Sequence, residues 1–216
     1  ITDEDLIERL NAVLGKIHYL AHGYEFLSQF TVGAMAEHFL GLVYIQEAAS
    51  QIPAEVLDPK PGDLVLDMAA APGSKTTQMA AMMNNSGTLI AIDANNVRLP
   101  AVKNNLERCG VKNCVVYKKD AVYAEDLKLE FDKILLDAPC SGNFTLDKNW
   151  FEKRELSELK EIVKVQRKLL ETAVSILKKN GVLVYSTCSL EPEENEENIS
   201  WLLDKYPGIK LEKINL

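Results

Sequence analysis

The sequence predicts an α/β protein: a mostly parallel sheet with helices on both faces, preceded by a small N-terminal helical segment. From Gly62 onward, short apolar runs alternate with amphipathic stretches of helical period. That alternation is typical of parallel strands joined by helical crossovers. The length, 216 residues, suits one domain with a sizeable core.

The first part of the chain is expected to be helical and to lead into a connector. Apolar side chains recur there at three- and four-residue spacing, at Leu6, Leu10, Val13, Leu14 and Ile17. Residues 41–61 form the connector, with a helical turn at 48–52 that Pro53 is expected to break. We therefore divide the chain into residues 1–60, the helical segment with its connector, and residues 61–216, the main domain.

The main domain is expected to contain strands and helices in alternation. The predicted strands are Leu64–Met68, Thr88–Ile92, Cys114–Tyr117, Asp132–Leu136, Val182–Tyr185 and Ile209–Ile214. The predicted helices are Gly73–Met83, Asn95–Arg108, Ser157–Lys179 and Glu193–Lys205. The acidic run 191–197 is expected to be a solvated helix start, which its negative charge would stabilise.

Composition excludes several classes of protein. With 24 basic and 32 acidic side chains the net charge is −8, which argues against a nucleic-acid coat protein but allows a local basic groove. No apolar run approaches the roughly 20 residues that span a bilayer, and the acidic first residues do not start a secretory signal. Four dispersed cysteines and three histidines predict neither a zinc site nor a disulfide framework. We therefore expect no metal and a reducing, cytoplasmic location.

A run of small residues follows the first strong strand and opens a helix, in the segment Asp67-Met68-Ala69-Ala70-Ala71-Pro72-Gly73-Ser74-Lys75-Thr76. Ligands of open parallel sheets bind beyond the carboxyl ends of the strands, where free N–H groups of a helix start face them. The segment matches neither the dinucleotide fingerprint nor the phosphate loop. It is therefore either a site for another ligand or only a tight strand-to-helix turn.

Acidic residues stand at or just past the ends of four consecutive strands, at Asp67, Asp93, Asp120 and Asp137. A carboxylate after the second strand suits ribose hydroxyls, and one after the third suits an exocyclic amine. Both groups belong to adenosine, and a loop without phosphate chemistry suits an adenosine that carries an amino acid. S-adenosylmethionine is the predicted ligand, although each aspartate alone is also a common cap or turn residue.

Two cysteines follow neighbouring strands at the same edge of the sheet. Cys140 lies three residues past Asp137, and Cys188 lies just past the next strand of the sheet. A thiolate is nucleophilic, and its addition to C6 of cytosine makes C5 reactive toward a methyl donor. Asp137, if protonated, could bond the N3 and 4-amino edge of a flipped base, and Lys75 could stabilise charge on its ring. The alternative is that both are inert core thiols, which is our interpretation of Cys109 and Cys114.

Three segments resemble the RNA 5-methylcytosine methyltransferases, which include bacterial rRNA enzymes and archaeal and eukaryotic tRNA enzymes: DMAAAPGSKT, DAPCSG, and YSTCS followed by EPEENEENI. The segment YIQEAAS at 44–50 is similar to the family's Q-[DE]-x-x-S pattern. The resemblance implies a Rossmann-like class I methyltransferase fold. It also implies that Cys188 is the nucleophile, that Cys140 assists release of the methylated product, and that Asp137 and Lys75 line the base pocket.

The resemblance also assigns residues to S-adenosylmethionine: Ala69, Ala70, Ala71, Pro72, Gly73, Ser74, Lys75, Asp93, Arg98, Asp120 and Asp137. Two positions depart from the family loop, with Ala69 in place of a cysteine and Ser74 in place of a second glycine. Ser74 is expected to strain the turn if that position needs a positive φ. Family members usually continue into a further strand, so the sheet is expected to lack its last one.

The expected activity is S-adenosylmethionine-dependent methylation of RNA at cytosine C5. By analogy with small archaeal family members the substrate is tRNA, and rRNA is the alternative. Three rival functions are a DNA cytosine methyltransferase, which attacks with its Pro-Cys thiol, an N-methyltransferase of glutamine or adenine, and a non-catalytic RNA-binding protein.

A basic and aromatic stretch is the candidate RNA surface: Lys148, Trp150, Phe151, Lys153, Arg154, Lys160, Lys164, Arg167 and Lys168. Because glutamates are interleaved with these residues, the stretch is equally typical of a solvated helix face.

Overall fold

A five-stranded, fully parallel sheet organises the protein. The computed structural model describes residues 2–142, 149–153 and 155–214. The strands are β3 (Leu64–Asp67), β4 (Thr88–Asp93), β5 (Cys114–Lys118), β6 (Phe131–Asp137) and β7 (Leu177–Ser186). Their spatial order is β5-β4-β3-β6-β7, and every neighbouring pair is parallel. The predicted α/β class is confirmed.

Helices cover both faces of this sheet. The helices of the main domain and connector are α3 (Ala48–Leu57), α4 (Ser74–Met82), α5 (Leu99–Arg108), α6 (Trp150–Lys153), α7 (Leu156–Ser175) and α8 (Glu196–Lys205). Successive side chains of a strand point to opposite faces. In β6, Ile134 and Leu136 join the core beneath α7 and α8, whereas Leu135 joins the core beneath α3 and α4. The central residues of these strands are therefore apolar on both faces, as is typical of strands covered on both sides.

The N-terminal segment is less helical than its periodicity predicted. Helix α1 (Asp3–Leu10) ends at Asn11, which adopts a left-handed conformation. The strands β1 (Leu14–Lys16) and β2 (Tyr24–Phe26) then form an antiparallel pair, and α2 (Ala36–Phe39) follows. The expectation of a helix across the first forty residues is wrong, because Leu14 and Ile17 continue the helical spacing past a residue that ends the helix.

Two other predicted boundaries are wrong because tertiary packing overrides local preference. Helix α3 runs through Pro53 instead of stopping there, and the buried Ala54 and Leu57 at its end pack against β3 and β6. The long helix α7 stops at Ser175, not at 179, because Leu177 pairs with Phe131 and starts β7.

The expected strand Ile209–Ile214 is absent, because the described residues after α8 form no regular element. Ile209 packs against the core, but Leu211 and Ile214 are exposed and pair with no neighbouring strand of the described sheet. Among the described residues, no helix is both long and apolar enough to cross a membrane.

The connector is fixed to α5 by close backbone packing. The Arg108 guanidinium donates hydrogen bonds to the carbonyls of His38 and Val43, at 2.7 and 3.1 Å. Gly41 lies against the end of the same helix with φ +71°, and a Cβ at this position would come within 1.8 Å of the Arg108 carbonyl oxygen. Only glycine fits this contact.

We expect Gly41→Ala to destabilise the protein by about 2 kcal/mol or more, because it combines a strained φ with a backbone clash. For a chain of this size that loss lowers the melting temperature by several degrees. Thermal unfolding followed by circular dichroism measures it. Gly208→Ala is the control, since a Cβ there meets nothing within 4 Å. Equal melting temperatures for the two variants would contradict the proposed docking of the connector.

Candidate functional site

A cavity of about 420 Å³ lies at the carboxyl edge of the sheet, where strands β3 and β6 end. Its volume is within the range of small-molecule sites. The lining includes eight residues that the sequence assigned to a ligand: Ala69, Ala70, Ala71, Pro72, Ser74, Lys75, Arg98 and Asp137. The connector supplies the opposite wall: Tyr44, Ile45, Gln46, Glu47 and Ser50.

The small-residue loop contains one position, Gly73, whose backbone conformation requires glycine. Gly73 is the N-cap of α4 with φ +104°, a conformation that side chains with a Cβ rarely adopt. Ser74 is the first residue of α4, in ordinary helical backbone. The strain expected at Ser74 is therefore absent, since the positive φ falls one residue earlier.

The buried carboxylate of Asp67 holds the small-residue loop in place. Asp67, 1% exposed, accepts hydrogen bonds from the Thr76 hydroxyl at 2.7 Å and from the Ala69 N–H at 3.3 Å. Burial raises the pKa of Asp67 to about 6, against the hydrogen bond from Thr76 that favours the charged form. The carboxylate thus ties the end of β3 to the first turns of α4.

Asp93 and Asp120 do not line the cavity. The side-chain oxygens of Asp93 accept hydrogen bonds from the Ala71 N–H at 3.1 Å and the Asn95 N–H at 2.8 Å, so this carboxylate braces the loop. Asp120 caps a 3₁₀ helix by accepting from the Val122 N–H at 3.0 Å. Arg98 lines the cavity and donates to the Ala71 carbonyl. Roles of Asp93 and Asp120 in ligand binding stay predictions.

Lys75, on α4, connects this helix with the end of β6 and with the connector. Its ammonium lies 2.7 Å from Asp137 Oδ2 and 3.1 Å from the Ser50 hydroxyl of the connector, and its side chain is only 15% exposed. Asp137 also accepts from the Ser186 hydroxyl at 2.7 Å. Both carboxylate oxygens of Asp137 therefore accept hydrogen bonds, and a protonated Asp137 that donates to a base would have to exchange one of them.

The two thiols meet at the same edge of the sheet. The Sγ atoms of Cys140 and Cys188 lie 2.7 Å apart, and the Cys188 N–H points at the Cys140 sulfur at 3.3 Å. The pKa of the Cys188 thiol is raised well above its usual range. The largest cause is partial burial, followed by the hydrogen bond and charge of Cys140 and then by the charge of Asp137. Cys188 is thus exposed but predominantly protonated near neutral pH.

Residues 54–216 match the family described as 16S rRNA methyltransferase RsmB/F. The chain belongs to this family. The tRNA (cytosine(49)-C(5))-methyltransferase of Pyrococcus abyssi is 48% identical over 190 residues, 85% of this chain and 60% of that protein. Ribosomal RNA small subunit methyltransferase F of Psychromonas ingrahamii is 45% identical over 183 residues, 82% of this chain and 38% of that protein. The chain thus spans less than two thirds of each relative.

Solved structures of similar proteins share the architecture. A methyltransferase homolog from Pyrococcus horikoshii superposes with a TM-score of 0.87 at 43% identity, over 94% of this chain and 66% of its own. NSun6 from Pyrococcus horikoshii, solved with SFG, gives a TM-score of 0.75 at 40% identity, over 81% of this chain and 45% of its own. The family and the Rossmann-like methyltransferase fold that the motifs predicted are confirmed.

The remaining thiols of this RsmB/F family member lie away from the cavity. Cys114 is the first residue of β5, at the opposite edge of the sheet, and burial raises its pKa to about 12. Burial also raises the pKa of Cys109, at the end of α5. Within the described ranges, no three side chains of His, Cys, Asp or Glu gather to hold a metal ion.

Part of the candidate RNA surface has internal partners. The Trp150 indole donates to the Ser141 carbonyl at 3.1 Å, and the Arg167 guanidinium donates to Asn198 at 2.9 Å and lies over the Trp201 ring. Lys164 pairs with Glu161 on the exposed face of α7. Lys148 and Arg154, and the side chains of Phe151 and Lys153, lie outside the described residues. The RNA surface stays a prediction.

Sequence reasoning missed two groups of site residues. The connector wall of the cavity, including Tyr44 and Ser50, carries the Q-[DE]-x-x-S pattern, whose role the sequence alone does not indicate. Glu194 was expected on a solvated helix start, but its side chain is completely buried. The sequence of an acidic run does not indicate which of its side chains is buried. The only signal that could have pointed to Glu194 is the S-T-C-S segment that precedes the run.

We expect Cys188 to resist alkylation at neutral pH, because its raised pKa keeps the thiolate fraction small. The rate of its reaction with iodoacetamide, followed by peptide mass spectrometry, should still rise above pH 9, where an ordinary cysteine levels off. Cys140→Ala removes two causes of the raised pKa and should speed alkylation at pH 8 severalfold. Glutathione serves as the reference thiol. A rate that levels off below pH 9 in the unmodified protein would contradict the shift.

Proposed function

We propose that this protein transfers a methyl group from S-adenosylmethionine to C5 of a cytosine in tRNA. The observation that carries the proposal is the 2.7 Å approach of the Cys140 and Cys188 sulfurs beside the Lys75–Asp137 pair. Membership of the RsmB/F family and the identity with a tRNA cytosine-C5 enzyme support the same chemistry.

The cavity fits the methyl donor. Its small-residue loop allows close backbone approach, and the start of α4 presents N–H groups to a ligand. The donor supplies an electrophilic methyl on a sulfonium. Ala69–Pro72, Ser74 and Arg98 would hold it on one side, and Tyr44 and Gln46 on the other. Asp137 lines the same cavity, whereas Cys140 and Cys188 do not, so the base would lie next to the donor, between Asp137 and the two thiols.

Cys188 would act as the nucleophile. Its thiol loses a proton, its sulfur bonds to C6 of the flipped cytosine, and the C5=C6 electron pair becomes available to take the methyl at C5. The sulfonium–methyl bond of the donor breaks as the bond from the methyl to C5 forms. Cys140 would then take the C5 proton, the C5=C6 double bond re-forms and the bond from the Cys188 sulfur to C6 breaks. Cys140, in contact with Cys188, is placed to assist that elimination. Because free Cys188 is protonated, we expect deprotonation to accompany RNA binding.

Lys75 and Asp137 would position the base. The ammonium of Lys75 is nearly buried, so its field is little screened, and it would stabilise negative charge that develops on the ring when the sulfur adds. Ser50 and Ser186 hold the Lys75–Asp137 pair from two sides. The same four groups would keep the base pocket in place before the RNA arrives.

The choice of tRNA rests on the relatives. The tRNA enzyme of Pyrococcus abyssi matches this chain at 48% identity and over 60% of its own length, against 45% and 38% for the rRNA enzyme. The matched stretches are of similar length, 190 and 183 residues, so it is the higher identity that favours the tRNA reaction.

The function is tested by methyl transfer from tritiated S-adenosylmethionine to total tRNA and to small-subunit rRNA, with bisulfite sequencing of the products. We expect label in tRNA and a protected cytosine at one position. Label in rRNA alone would contradict the choice of tRNA as substrate but would support the proposed reaction at cytosine C5. No transfer to either RNA, with the donor bound, would overturn the proposal in favour of a non-catalytic RNA-binding protein.

The roles of the two thiols are separable by single substitutions. We expect Cys188→Ala to abolish methyl transfer, since no sulfur remains to add to C6. Cys140→Ala should methylate the base but release it slowly, so a covalent protein–RNA adduct accumulates and survives denaturing electrophoresis. Cys109→Ala is the control and should behave as the unmodified protein. An adduct from Cys188→Ala would reverse the assignment and point to attack by the Pro-Cys thiol, as in a DNA-type enzyme.

A further inference from the structure

A buried carboxylate, Glu194, connects the two loops that carry the thiols. It lies between β7 and α8, and its side chain is completely buried. Moving a carboxylate out of water costs several kcal/mol unless hydrogen bonds replace the lost hydration. The donors that replace it come from three separate parts of the fold.

Three of the four donor groups belong to the residues that directly follow the thiols. From the Cys140 loop, the Ser141 N–H donates to Glu194 Oε2 at 3.1 Å, and the Ser141 hydroxyl donates to Oε1. From the Cys188 loop, the Ser189 hydroxyl donates to Oε1 at 2.6 Å. One carboxylate therefore bonds the immediate neighbour of each thiol.

The fourth donor group fixes the carboxylate to the helices. Gln166 of α7, also completely buried, donates from Nε2 to Glu194 Oε2 at 2.7 Å and to the Pro139 carbonyl at 2.9 Å. Its Oε1 accepts from Asn198 of α8 at 2.8 Å. The Tyr185 hydroxyl of β7 donates to the Glu194 carbonyl at 2.6 Å.

We propose that Glu194 is a positioning residue that holds Cys140 and Cys188 within reach of each other. Each carboxylate oxygen accepts two hydrogen bonds, and this set is complete only when both loops are in place. Separation of the loops would leave a buried charge with fewer donors, so the carboxylate penalises every arrangement in which the thiols move apart. The importance of Glu194 for methyl transfer rests on the proposed function. Its effect on the distance between the two thiols does not depend on that function.

The test measures thiol proximity without RNA or methyl donor. The probe, phenylarsine oxide, binds tightly only where two thiols can reach one arsenic, and Cys140→Ala defines the background from the other cysteines. We expect Glu194→Ala to bind the probe at least tenfold more weakly than the unmodified protein. The matched control is Glu197→Gln, on an exposed residue of α8, which should leave binding unchanged.

A conservative variant separates positioning from general stability. In Glu194→Gln the remaining carbonyl oxygen can still accept from the Ser141 N–H and Gln166, while the two serine hydroxyls can turn to accept from the new amide. We expect probe binding near that of the unmodified protein. If Glu194→Ala does not fold, Ser189→Ala is used instead. It removes the bond between Glu194 and the Cys188 loop, together with the contacts of the Ser189 hydroxyl to the Glu191 N–H and the Ser141 hydroxyl, and should weaken probe binding severalfold.

With RNA, Glu194→Ala should slow release of the covalent adduct, as Cys140→Ala does, while donor affinity stays within twofold. Unchanged probe binding in a folded Glu194→Ala or Ser189→Ala would overturn the positioning role, whatever the activity. Inactivity of the unmodified protein, with probe binding that falls as expected, would instead overturn the proposed function alone.

Discussion

The parallel pairing of β6 with β7 determines where the chemistry of this protein can occur. Their register aligns Asp137 with Ser186, so both strands end at the same level of the sheet. The polypeptide that leaves each strand reaches a cysteine within three residues, and the two loops then have little freedom to diverge. The Ser186 hydroxyl on Asp137 and the paired sulfurs above it are consequences of that single register.

Near the paired sulfurs, the polar side chains of the site form hydrogen bonds with other residues of the protein. Asp67 fixes the loop to α4, Asp93 braces its backbone, and Lys75 connects it to Asp137. These contacts hold the loop and the Lys75–Asp137 pair in place before any ligand is bound. Preorganisation of this kind lowers the cost of binding and concentrates electrostatic stabilisation where charge develops.

Much of the main domain could be predicted from sequence, because strands buried on both faces appear as uninterrupted apolar runs. The positions of Cys140 and Cys188 followed from the same rule, since residues that follow neighbouring parallel strands share an edge. The N-terminal pairing of β1 with β2 could not be predicted, because Leu14 and Ile17 fit a helical repeat equally well. Nor could the buried state of Glu194, which depends on donors from α7 and from both loops.

The placement of Tyr44, Gln46 and Ser50 across the cavity has a consequence for how the chain can be divided. A cut at residue 60 follows the change in sequence pattern, yet it would remove one wall of the cavity and the Ser50 hydroxyl that accepts a hydrogen bond from Lys75. The residues that enclose the cavity therefore extend beyond the part of the chain that forms the sheet. A recombinant fragment that begins at residue 61 would retain the pair of sulfurs but leave the cavity open to bulk water on that side.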